Sequence, residues 1–116
     1  MNATRFLSPA LERSFFEDAT ERQMIDYLQK RTVYVGTERW LISNASKDVL
    51  EELFRQQPLA PENEEMLVRM RNEKILQMYI MRYPFSPPAE KLMVDLDKED
   101  TIFIYQKIYG QIKEGA

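Results

Sequence analysis

The sequence predicts an all-α fold in which four helical hairpins stack into a short α-solenoid, a superhelical or right-angle array spanning residues 1–116 as a single domain. Three observations predict this fold. A 26-residue unit occurs four times in succession, the units open with helix-start signals, and apolar residues within them follow helical spacing. The four copies, called repeats one to four, are residues 7–32, 33–58, 59–84 and 85–110.

The repeats align without gaps, and several of their 26 positions keep one kind of residue. Position 6 is Glu12, Glu38, Glu64 and Glu90. Position 1 is apolar in every repeat: Leu7, Val33, Leu59 and Phe85. Position 21 is Tyr27, Leu53, Tyr79 and Tyr105. One fixed period along a chain is the signature of a stacked array. The alternative is four hairpins that merely share hydrophobic spacing.

The first helix of each repeat is predicted to begin at position 3. Proline occupies this position in repeats one, three and four, and it suits the first turn of a helix. Ser8 and Ser86 precede two of these prolines and are good N-caps, whereas Ala60 has no capping oxygen.

Repeat two begins differently, because residues 33–36 (Val-Tyr-Val-Gly) resemble a strand and turn when taken alone. In register with the other repeats, this segment is interpreted as an altered helix start. Trp40 follows in the same helix and is expected to be partly buried between helices.

The second helix of each repeat is predicted to begin after a break near positions 13 and 14. Residues of N-cap type stand at this break: Thr20, Ser46, Asn72 and Asp97. Thr20 also forms a capping-box pattern with Gln23. Each repeat closes on a helix breaker, namely Pro58, Pro84 or Gly110, except repeat one. Helices this short are unstable alone, so they need neighbouring repeats to bury their apolar faces.

The residue inventory disfavours an enzyme. The chain has no cysteine and no histidine, which removes thiolate chemistry, the commonest general base and the commonest metal ligand. The three glycines are scattered, so no phosphate-binding loop is expected. We therefore predict no catalytic residue, no cofactor and no metal. No apolar run is long enough for a membrane span and no signal peptide is visible, so a cytoplasmic location is the default expectation.

The glutamates at position 6 invite two interpretations. Four stacked carboxylates would form a row able to bind a cation. Alternatively, each carboxylate accepts hydrogen bonds near a helix start or from the neighbouring repeat, and this is the interpretation we favour.

The second helices of repeats three and four depart from the repeat plan. Their positions 19, 20, 23 and 24 carry apolar residues where repeats one and two are largely polar. The candidate partner interface is Met78, Met81, Phe103, Ile104 and Ile108. An apolar surface in place of a polar one suggests an interface with protein. The last helix, predicted over 98–109, is apolar on nearly all sides and therefore needs cover.

Several arrangements would cover the last helix. A self-associating homodimer is the simplest, a different protein or peptide is the next, and the tail or a bent stack is a third. A β-strand over Thr101–Tyr105 is a further alternative, since that segment is β-prone.

Repeat three also contains the one basic concentration in the sequence, formed by Arg69, Arg71, Lys74 and Arg82. A solvated face paired with Glu73 is the simpler interpretation, and contact with nucleic acid is the runner-up function. The net charge of −3 argues against general nucleic-acid binding.

The repeat resembles short two-helix repeats found in uncharacterised bacterial proteins. The residues that carry the resemblance are 7–12 (LSPALE), 59–64 (LAPENE) and 85–90 (FSPPAE), each followed by a tyrosine at position 21. Repeat two departs from the pattern at Gly36. The design is also similar to tetratricopeptide and HEAT arrays, with a shorter period. The resemblance implies an all-α scaffold of a shape generally used to hold peptides or proteins, with no activity to carry over.

Overall fold

A computed structural model describes residues 7–112 of the chain. This part of the chain folds into eight α-helices and contains no strand. They are α1 Pro9–Asp18, α2 Glu21–Lys30, α3 Val35–Asn44, α4 Lys47–Gln56, α5 Pro61–Arg69, α6 Glu73–Ile80, α7 Pro87–Asp95 and α8 Glu99–Tyr109. The predicted all-α class is confirmed.

The helix boundaries repeat with the period of the sequence. The first helices begin at Pro9, Val35, Pro61 and Pro87, which are 26 residues apart. The second helices begin at Glu21, Lys47, Glu73 and Glu99, with the same spacing. The chain therefore has a repeated helical-hairpin arrangement, whereas membership of the bacterial repeat group that it resembles stays a prediction.

The chain divides into two compact units, residues 1–56 and residues 57–116. In the first unit, α1 packs against α3 and α2 packs against α4. In the second unit, α5 packs against α7 and α6 packs against α8. Each unit is thus a pair of hairpins in which equivalent helices lie side by side. That the chain forms a single domain stays a prediction.

Several helix starts follow local capping chemistry, whereas the Ser86 hydroxyl, predicted from the sequence as an N-cap, makes no capping hydrogen bond to α7. The Ser8 hydroxyl accepts the Leu11 N–H, and Thr20 and Gln23 form the predicted capping box. Asn72 caps α6 through the Ile75 N–H. The prediction for Asp97 is wrong. Lys98 precedes α8, because Asp97 has the left-handed conformation (φ 55°) that ends the turn after α7.

The two segments with β character are helical. Tyr34 precedes α3, which includes Val35 and Gly36, so the altered helix start in repeat two is confirmed. The alternative of a strand over Thr101–Tyr105 is wrong, since these residues lie within α8. Stacking against α6 overrides the β propensity of the segment, because Thr101 and Tyr105 are the residues that α8 buries.

Apolar side chains from both helices of each repeat form the core of each unit. In the first unit the core residues are Phe16, Leu28, Leu41, Ile42, Val49, Leu50, Leu53 and Phe54. In the second unit they include Leu67, Val68, Ile75, Leu76, Tyr79, Ile80, Phe85, Ala89, Met93 and Tyr105. Trp40 is partly buried, as predicted.

Candidate functional site

A hydrogen-bonded pair of side chains joins the two helices of a hairpin in three of the repeats. The Tyr27 hydroxyl donates to Glu12 Oε2 (2.6 Å). The equivalent Tyr79–Glu64 and Tyr105–Glu90 bonds are both 2.5 Å. Position 21 of the repeat thus bonds to position 6, and we call this pair the Glu–Tyr clasp.

The second carboxylate oxygen of the clasp binds the repeat that follows. Glu12 Oε1 accepts the backbone N–H of Tyr34 (3.0 Å), and Glu64 Oε1 accepts that of Ser86 (2.8 Å). Both donors occupy position 2, directly before a first helix. The hydrogen-bonding interpretation of the position 6 glutamates is therefore confirmed for Glu12 and Glu64.

The tyrosine of the clasp also bonds to the residue at position 1 of its own repeat. The hydroxyls of Tyr79 and Tyr105 accept the backbone N–H groups of Leu59 and Phe85, each at 3.0 Å. The Phe85 ring also stacks between Tyr79 (5.6 Å, 19°) and Tyr105 (5.7 Å, 13°). The clasps of repeats three and four thus hold residues 85 and 86 through their backbone N–H groups and through the Phe85 ring.

The pairing of glutamate with tyrosine was not among the features predicted from the sequence. The signal was present, because position 6 and position 21 are 15 residues apart in every repeat and hold Glu and Tyr together in repeats one, three and four. The apolar pattern alone assigns the tyrosine to the apolar face of the second helix. A buried phenol needs a partner for its hydroxyl, and this requirement points to the glutamate at position 6.

Two of the clasp tyrosines have a raised pKa. Burial, followed by the hydrogen bond to the Glu12 carboxylate, raises the pKa of Tyr27 from 10.0 to about 12. Burial and the hydrogen bond to Glu90 also raise the pKa of Tyr105. A raised pKa means that the folded chain holds these protons more tightly than the unfolded chain.

We expect the free energy of unfolding to decrease as the pH rises from 10 to about 12, since the contribution of the Tyr27 proton is complete below pH 10 and is lost through pH 12. Urea unfolding at a series of alkaline pH values measures this loss. Tyr27→Phe should show a smaller decrease over the same range. Identical pH profiles for the two proteins would contradict this role of Tyr27.

The predicted interface residues lie on α6 and α8, or directly after α6, but they differ in exposure. Met81 is 66 % exposed, Phe103 60 % and Ile108 41 %. Met78 and Ile104 are partly buried. Met78 and Ile104 are less exposed than predicted because both occupy position 20 of the repeat. This position does not face solvent in every repeat, since Glu52 occupies it in repeat two and is buried. Its carboxylate bonds to Arg55 and Gln56 instead.

On α8, Phe103 and Ile108 are the exposed members of the candidate interface, and each belongs to a row of side chains along the helix. Phe103 and Lys107 are four residues apart, as are Ile104 and Ile108, so each pair lies on one side of the helix. The Lys107 ammonium lies 4.6 Å from the centroid of the Phe103 ring. Met81 is exposed at the C-terminal end of α6, which packs against α8. We call Met81, Phe103 and Ile108 the apolar surface of the second unit.

The basic residues of repeat three do not form one cluster. Arg69, Arg71 and Lys74 are exposed around the connection from α5 to α6, whereas Arg82 follows the opposite end of α6. Residues 70–74 line an open depression of about 620 Å³. Glu73 does not neutralise this face as expected, because it accepts hydrogen bonds from Lys98 (3.1 Å) and Thr101 (2.6 Å) of repeat four.

The fold and the clasps define an all-α protein built from helical-hairpin repeats. No protein-family model matches the chain, and no match was found among curated proteins or solved structures. Within residues 7–112, no group of three or more acidic side chains is placed to hold a metal ion. None of the helices described here combines the length and the apolar character needed to cross a membrane.

Proposed function

We propose that this chain is a non-enzymatic protein-interaction module that binds protein, either itself or another chain, through the apolar surface of the second unit. One observation carries the proposal. Met81, directly after α6, and Phe103 and Ile108, on α8, remain exposed, whereas the equivalent positions of repeats one and two are mostly polar.

The cost of exposing such side chains supports a binding role. Burying one large apolar side chain is worth roughly 1.5–3 kcal/mol, and that stabilisation is lost while the chain is alone. Exposed apolar residues that lie close together mark interaction sites more often than single exposed apolar residues do.

Light scattering on wild type and on a Met81→Lys, Phe103→Asp variant tests the proposal. We expect the wild type to self-associate and the variant to be a folded monomer, because two charges would be buried in the contact. Both residues are exposed, so the helical circular dichroism and the melting temperature should change little.

Gln29→Lys supplies a matched control, since it places the same charge at the equivalent position of repeat one. It should associate like the wild type. A monomeric wild type would restrict the proposal to a different protein, whose binding the double variant must then lose. Equal binding by wild type and double variant would overturn the proposal.

Contact with nucleic acid is the second candidate. Its supporting observation is that the exposed Arg69, Arg71 and Lys74 make no ion pair with a carboxylate of the described residues. Retention on heparin that falls steeply with salt would favour it, because phosphate contacts release counterions. Separation of Arg82 from the other three weakens this candidate.

A further inference from the structure

One side of α8 carries charged and apolar residues in a symmetric order. Four residues have the i, i+3, i+4, i+7 spacing that places them on one side of a helix: Asp100, Phe103, Ile104 and Lys107. Three of them are exposed and Ile104 is partly buried. Thr101 and Tyr105, the residues that α8 buries, lie on the other side. The first side therefore faces away from the core of the second unit.

The order of residues along this side makes it complementary to itself. Asp100 stands three residues before Phe103, and Lys107 stands three residues after Ile104. Two such helices can lie antiparallel, with the midpoint between residues 103 and 104 on a twofold axis. Asp100 of each copy then faces Lys107 of the other, and Phe103 of each faces Ile104 of the other. Opposite charges meet twice, around an apolar centre.

Both charges of this pattern remain available to a second chain. In the part of the chain that the structure describes, no ion pair involves Asp100 or Lys107. The Lys107 ammonium lies over the Phe103 ring instead, 4.6 Å from its centroid. The second helices of repeats one and two pair their charges within one helix: Asp26 with Lys30, and Arg55 with Glu51 and Glu52.

No other repeat has this order of residues. Positions 16, 19, 20 and 23 read Arg-Ile-Asp-Gln in repeat one, Asp-Glu-Glu-Arg in repeat two and Lys-Gln-Met-Met in repeat three. The helix dipole favours an acid in the first turn and a base in the last turn, which accounts for the two charges on α8. It does not account for Phe103 and Ile104 between them, whereas an antiparallel contact accounts for all four residues.

We propose that two copies of this chain form a homodimer in which their α8 helices pack antiparallel about a twofold axis, with Asp100 of each copy paired to Lys107 of the other. Phe103 and Ile104 form the centre of the contact, and Ile108 and Met81 extend its apolar area. The proposal rests on the proposed protein-binding function and names a second copy as the partner. Because a twofold axis uses the same surface on both copies, association closes at a dimer.

Two charge reversals test the proposed pairing. Lys107→Asp places an aspartate opposite Asp100 of the other copy, and Asp100→Lys places a lysine opposite Lys107. Sedimentation velocity over a concentration series should show the wild type reaching a dimer and no larger species. Each variant should dimerise roughly tenfold or more weakly than the wild type, because two attractive pairs become two repulsive ones.

Mixing the two variants tests whether the charges meet as proposed. Equimolar Lys107→Asp and Asp100→Lys should form a heterodimer about as strong as the wild-type dimer, since one copy supplies both acids and the other both bases. Asp48→Lys is the matched control, because it makes the same substitution at the equivalent exposed position of repeat two. It should dimerise like the wild type. Circular dichroism should show that all variants are folded.

The outcomes separate this arrangement from the broader protein-binding function. A wild type that stays monomeric at every concentration would rule out the homodimer and leave binding of a different protein to be tested with the Met81→Lys, Phe103→Asp variant. A dimer that Phe103→Asp disrupts but both charge reversals leave unchanged would contradict the antiparallel pairing alone, as would folded variants that fail to associate when mixed. A dimer that none of these substitutions weakens would contradict both proposals.

Discussion

Replacing Glu64 by alanine is expected to lower the free energy of unfolding of the second unit by about 3 kcal/mol. Glu64 is buried and accepts two hydrogen bonds, from the Tyr79 hydroxyl and from the Ser86 N–H. Alanine would leave both donors without this acceptor and open a cavity between the hairpins. The loss includes the cost of burying an unpaired hydroxyl and an unpaired amide, which exceeds the net value of one bond.

Urea unfolding followed by circular dichroism measures this change. Glu62→Ala is the matched control, because Glu62 lies in the first turn of the same helix and is exposed. It should cost less than about 1 kcal/mol, the value of a charge near a helix N-terminus. If the two variants had similar midpoints, the clasp would not be a principal source of stability.

Replacing Phe85 by alanine is expected to cost about 3–5 kcal/mol, the range for large-to-small changes of buried aromatic residues. Phe85 is 6 % exposed, and its ring stacks on Tyr79 and Tyr105. Its removal deletes both stacking contacts and leaves a void beside two tyrosine hydroxyls that bond to glutamates.

Phe103→Ala provides a control with the same chemical change. Phe103 is exposed and stacks on no other aromatic ring within residues 7–112, so its loss should change the unfolding free energy by no more than about 0.5 kcal/mol. The same variant should weaken the proposed protein binding. Comparable destabilisation by Phe85→Ala and Phe103→Ala would contradict the assignment of Phe85 to the core.

The sequence predicted most of the fold because the signals are local. Proline at position 3 and polar caps at position 14 act within one helical turn. The sequence pattern could therefore predict where the helices begin. Asp97 was misjudged because the choice between capping α8 and ending α7 depends on how the turn closes. The Lys98 N–H bonds back to the Met93 carbonyl, which the sequence does not reveal.

The candidate site was predicted less completely. Departure from the repeat plan identified Met81, Phe103 and Ile108, which the structure leaves exposed. It did not predict that position 20 is buried or partly buried in repeats two to four, because the exposure of that position depends on how neighbouring second helices pack. The Glu–Tyr bonds link residues 15 positions apart across a turn. Hydrophobic periodicity carries no information about such polar contacts.

The clasp has a consequence for how such a chain can change its length during evolution. In two of the clasps the glutamate accepts a hydrogen bond from the repeat that follows, and the donor lies 22 residues further along the chain in both: Tyr34 for Glu12 and Ser86 for Glu64. Duplicating a whole repeat supplies one new acceptor together with one new donor, so the hydrogen bonding between repeats stays balanced. An insertion of any other size within that interval separates the pair. Gene duplication in steps of one repeat is therefore the change in length that this architecture tolerates best.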